Sequence, residues 1–92
     1  MDRNKVLESL VNAIHGIQSM SNRALSEVKL DDVPIDKYDG FDSLSGLEAT
    51  IVLAGELGID DDGKENFFIT RDGRRAMTVS EIVDRVHSLI QE

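Results

Sequence analysis

The chain has 92 residues, with 18 acidic against 10 basic side chains, a net charge of -8, 40% hydrophobic and 30% charged residues, and no cysteine. That length allows one small core and leaves little room for a deep enzyme pocket assembled from several elements. The absence of cysteine excludes disulfides, thiolate metal sites and cysteine nucleophiles, and the acidic balance repels a nucleic-acid backbone while favouring basic protein partners and solubility.

Along the chain, Val6, Leu7, Leu10, Val11, Ile14 and Ile17 recur at three- and four-residue steps and predict a first amphipathic helix from Asp2 to about Gln18. Gly16 and the polar run Ser19, Ser21, Asn22 weaken that pattern. The chain onward to Gly40 reads as a long loop containing Pro34, with a helical turn expected around Ala24 to Val28. A connection that long is expected to lie against the core through Leu30, Val33, Ile35 and Tyr38.

A second long helix is predicted from Asp42 to Leu57, closed by Gly58, with Leu44, Leu47, Ile51, Leu53, Ala54 and Leu57 on its buried side. Asp42 or Ser43 can cap its start, and Ser45 with Glu48 fits a capping box. Residues 58–77 allow either a short helix or a small Asp-Gly hairpin. Thr78 and Glu81 form a second capping box ahead of a terminal helix carrying Val79, Ile82, Val83, Val86 and Ile90. The longest apolar run is Ile51 to Ala54, so no segment is expected to insert in a membrane. The fold class expected is all-α, with residues 1–92 forming a single domain.

Gly40-Phe41-Asp42-Ser43-Leu44 is the segment that can carry chemistry. It sets a serine hydroxyl at the positive end of a helix just after a glycine-containing turn, where a phosphodiester is electrostatically favoured. Asp-Ser-Leu by itself reads first as a plain helix cap, and only its context argues for more. Other candidates are weaker. Asp60, Asp62 and Gly63 match three positions of a calcium loop, but Gly58 and Ile69 stand where its first and twelfth ligands belong. His15 and His87 sit on separate helices without ligand spacing, and Phe67 and Phe68 read as core. No Ser-His-Asp set or close carboxylate pair argues for an enzyme.

The order of elements around Gly40, Asp42, Ser43 and Leu44 resembles the acyl carrier protein family over nearly the whole chain, from the first helix to Ile90. The resemblance implies a four-helix bundle of three long helices and a short or irregular third element. It also implies a 4'-phosphopantetheine arm, taken from coenzyme A and attached to Ser43 by a phosphopantetheinyl transferase, that holds acyl groups as thioesters. Asp42 and Leu44 would belong to that cofactor site. Asp42, Glu48 and Glu56 would face the transferase and the acyl-loading, acyl-transferring or condensing enzymes. Ala54 and Gly55 stand where the family usually has further acids, and Arg71, Arg74 and Arg75 form an unusual basic cluster. Both departures point to a dedicated lipid, fatty-acid or polyketide-type pathway, with the arginines read first as a solvated turn and second as a partner-docking site. The resemblance further implies a cytoplasmic monomer that is not an enzyme, without a metal and without nucleic-acid partners. The alternatives are an aminoacyl or peptidyl carrier, and a non-catalytic acidic interaction module in which Asp42 and Ser43 only cap a helix.

Overall fold

The first 18-residue helix, α1 (Arg3–Met20), starts where Asp2 accepts a hydrogen bond from the Lys5 amide at 2.9 Å. In the computed structural model, which describes residues 2–23, 25, 27–60 and 65–90, it is followed by α2 (Pro34–Lys37), α3 (Ser43–Leu57) and α4 (Val79–Ile90). The described residues are therefore helical in all their extended elements, with one isolated antiparallel bridge between Ile69 and Ala76. Three helices are long and one is short, but the short one stands second in the chain. Residues 24 and 26 lie outside the described set, and Leu25, Glu27 and Val28 are not helical. Pro34 takes the first position of α2, where its fixed φ and missing amide hydrogen cost nothing.

α1 buries Val6, Leu10, Ala13, Ile14 and Ile17 against α3 and α4. It ends in a Schellman arrangement, with Asn22 at φ 57 and the Arg23 amide donating to the Gln18 carbonyl at 2.8 Å. The loop that follows does lie against the core, as its apolar residues predict, although Leu30 remains 53% exposed. Asp32 anchors it, accepting from the Lys29 amide and, at 2.8 Å, from the Tyr38 hydroxyl. The carbonyls of Leu30 and Asp32 then accept from the amides of Ser80 and Val79, two of the first-turn donors of α4 that lack intrahelical partners. Thr78 and Glu81 complete that start reciprocally, as the capping box predicts.

α3 departs from the expected packing. Its buried residues are Ser45, Gly46, Ala49, Thr50, Leu53 and Ala54. Leu44 and Ile51 are exposed, Val52 is exposed beside them, and Leu47 and Leu57 are half-buried. The face turned inward is the small-residue face, because the chain beyond α3 returns very close to it. A Cβ on Gly46 would lie 3.0 Å from Asn66 and 3.2 Å from Phe68. Thr50 accepts from the Phe67 amide at 3.0 Å and donates to the Gly46 carbonyl at 2.8 Å.

The described part of residues 58–77 contains no helix. Gly58, at φ 71, closes α3, with the Ile59 amide reaching back to the Ala54 carbonyl. Further on, Thr70 and Arg75 pair across a tight turn in which Gly73 has φ 74, and Met77 donates to Phe68. This is the hairpin-like alternative, closed by the Ile69–Ala76 bridge. Phe67 and Phe68 are buried in the core as expected, and Phe68 lies against Phe41 with ring centroids 5.3 Å apart. Phe41 in turn meets Tyr38 edge-on at 6.4 Å, so aromatic residues from the loops before and after α3 pack together in the core.

Candidate functional site

Ser43 is the first residue of α3 and is exposed. Its hydroxyl makes no hydrogen bond with the described residues, so the oxygen is open to modification. Asp42, rather than Ser43 or the Ser45/Glu48 pair, is the cap: its Oδ1 accepts from the Ser45 amide at 2.9 Å. That amide is the main cause holding the Asp42 carboxyl below its ordinary range, with smaller contributions from the Ser45 side chain and the neighbouring amides. Ser45 lies inside the helix and is buried.

The turn ahead of Ser43 is fixed from two sides. Gly40 has φ 62, a conformation that a side chain would strain, and its missing Cβ leaves room for the Arg23 guanidinium. Arg23 donates to the Gly40 carbonyl, and the buried Gln18 side chain donates to the Asp39 carbonyl at 2.7 Å. From the other side, Asn66 Nδ2 donates to the Ser43 carbonyl at 2.9 Å while Asn66 Oδ1 accepts from the Phe68 amide at 3.0 Å. Sequence reasoning did not single out Arg23, Gln18 or Asn66. Their role arises from residues 17 to 23 positions away in the chain, and no local spacing signals it.

The other predicted residues are spread around this centre. Leu44 projects outward on α3 with 62% of its surface exposed, and Glu48 and Glu56 are exposed on the same helix. The arginines are divided among different carboxylates. Arg71 pairs with Glu65 at 3.4 Å, Arg74 with Asp72 at 3.9 Å, and Arg75 grips Glu81 with two bonds of 3.0 and 2.7 Å. Arg75 and then the Thr78 amide hold the Glu81 carboxyl down at about 2. Arg75 therefore ties the hairpin turn to the start of α4.

Among the described residues no group of three His, Cys, Asp or Glu side chains could hold a metal ion, and no helix is long and apolar enough to cross a membrane. Residues 61–64, which include part of the acidic stretch considered for calcium, lie outside the described residues. A covalent phosphopantetheine would meet a suitable setting: an exposed hydroxyl, without a hydrogen bond to the described residues, on the first residue of a 15-residue helix. Comparison of the chain with protein-family models, curated proteins and solved structures found no match, so any functional reading rests on the residues themselves.

Proposed function

We infer that this chain is an acyl carrier protein whose phosphopantetheine arm is attached through the Ser43 oxygen. The observation that carries the reading is the exposed Ser43 hydroxyl at the first position of α3, beside a capping Asp42 and behind a glycine turn clamped by Arg23. The helix end favours a phosphodiester, and the imported thiol supplies chemistry that a chain without cysteine lacks. The arm would supply a thiol that carries acyl groups as thioesters. The residues of this chain present the serine, keep its turn rigid and shape the surface that partner enzymes meet. That surface would be the outer side of α3, where Glu48 and Glu56 stand among the exposed Leu44, Ile51 and Val52. A contiguous exposed apolar patch rimmed by polar residues is the kind of surface that partner proteins use.

Incubation with coenzyme A, magnesium and a broad-specificity phosphopantetheinyl transferase is expected to add one phosphopantetheine by intact mass. Ser43→Ala is expected to remain unmodified and to melt close to the parent protein, since Asp42 still caps α3. An unmodified parent chain with several transferases would favour the acidic interaction module instead.

A further inference from the structure

The end of α1 grips the turn ahead of Ser43 at two consecutive carbonyls. The buried Gln18 side chain donates to the Asp39 carbonyl at 2.7 Å, and Arg23 Nη1 donates to the Gly40 carbonyl. Arg23 is itself fixed at its root, because its amide closes the end of α1 on the Gln18 carbonyl at 2.8 Å. Its guanidinium then lies over Gly40, where a Cβ would come within 2.5 Å of the Arg23 Nε. The contact needs both residues: a glycine at φ 62 that leaves the space, and an arginine that fills it.

Arg23 differs from the other arginines in its partner. Each of the five others pairs with a carboxylate, whereas Arg23, among the described residues, meets only a main-chain carbonyl. That is notable on a chain with 18 acidic side chains. One exposed bond to a carbonyl adds little to stability. Nor does α3 depend on it for its existence, since Asp42 caps the helix and Ala49 and Leu53 anchor it in the core with no surface exposed. What the clamp fixes is where Phe41, Asp42 and Ser43 stand relative to α1.

We propose that Arg23 is a positioning residue for attachment of the arm, acting through the Gly40 carbonyl to hold the Ser43 hydroxyl where the transferase needs it. The inference rests on the carrier reading of Ser43. In the attachment step the Ser43 oxygen forms a bond to the pantetheine-side phosphorus of coenzyme A and the pyrophosphate bond breaks. Adenosine 3',5'-bisphosphate leaves with that electron pair, and the serine proton passes to a base of the transferase. Attacking and leaving oxygens lie roughly in line in such a displacement. Misplacing the attacking oxygen by about 1 Å is enough to slow it on the order of a hundredfold. A turn free to wander spends part of its time misplaced, so the expected loss is smaller than that.

The test is single-turnover loading of the full chain from coenzyme A, with magnesium and the transferase in excess, followed by intact mass over a range of transferase concentrations. Arg23→Gln is expected to lower the maximal rate by about tenfold while the half-saturating concentration stays within about twofold, because the outer side of α3 is unaltered. Arg23→Lys, which keeps a cationic donor of similar reach, is expected to recover most of the rate. Salt at about 0.5 M is expected to leave the ratio of variant to parent unchanged. Nitrogen relaxation at the Phe41, Asp42 and Ser43 amides is expected to show lower order in Arg23→Gln, in a protein that melts close to the parent. Equal maximal rates for Arg23→Gln and the parent would overturn the positioning role and leave the carrier reading standing. A loss confined to the half-saturating concentration and erased by salt would also overturn it, making Arg23 a charge contact for the transferase. A parent chain that no transferase loads would overturn the carrier reading, and the role of Arg23 with it.

Discussion

Thr50 shows how much a single small side chain decides. Its hydroxyl is buried within α3, donates to the Gly46 carbonyl and accepts from the Phe67 amide, so it closes the joint between the helix bearing Ser43 and the returning chain. Thr50→Val keeps the shape and removes both bonds, leaving the Phe67 amide buried without an acceptor. The expected cost is about 1–3 kcal/mol, measurable as a lower denaturant midpoint with an unchanged m-value. An unchanged midpoint would mean that the amide finds another acceptor. Gly40 and Asn66 act at the same scale, because each fixes one side of the turn that presents Ser43.

At the scale of elements, α3 is the instructive helix. Apolar residues recur around most of its circumference, so two faces compete: a large one through Leu44, Leu47 and Ile51, and a small one through Gly46, Ala49, Thr50 and Leu53. The small face wins because α1 and the 66–68 segment approach closely on that side. Leu53→Ala is therefore expected to cost roughly 2–5 kcal/mol through a core cavity. Ile51→Ala, at a position 53% exposed, is expected to change stability by no more than about 0.5 kcal/mol. Urea titration of both variants checks the assignment, and similar losses in both would reverse it. Under the carrier reading, the outward large face is then available to partner enzymes.

The molecule as a whole carries its acid sensitivity in a few engaged carboxylates. Asp32 is held below its ordinary range chiefly by the Tyr38 hydroxyl, Asp42 by the Ser45 amide, Asp72 by the Thr70 hydroxyl and Glu81 by Arg75. Tyr38, conversely, is raised by burial and then by Asp32. A carboxyl with a lowered folded-state pKa contributes stability that is present above its unfolded value and is lost as pH falls through the folded one. For Glu81 that interval runs from 4.5 down to about 2. Thermal melts are expected to be level near neutrality and to fall progressively below about pH 4.5. Glu81→Gln is expected to flatten part of that fall, and a fall of unchanged steepness would place the acid sensitivity elsewhere.

Much of this architecture was legible in the sequence because its signals are local. The stripe from Val6 to Ile17, the Asp42 start, the Gly58 stop and the Thr78/Glu81 box each depend on residues within a turn or two of one another, and each appears where the spacing puts it. The Gly-Phe-Asp-Ser-Leu segment likewise identified an exposed hydroxyl at a helix start. What the sequence left open depended on distant approach. Only the tertiary structure decided which face of α3 is buried, because periodicity cannot rank two apolar faces until the neighbour that packs against one of them is in place. It also decided that residues 69–76 turn as a hairpin, that Arg75 serves Glu81 while Arg71 and Arg85 share Glu65, and that Asn66 joins the Ser43 turn to the returning chain. These pairings span up to 23 residues of chain, and their energies exist only once the core has brought the ends together.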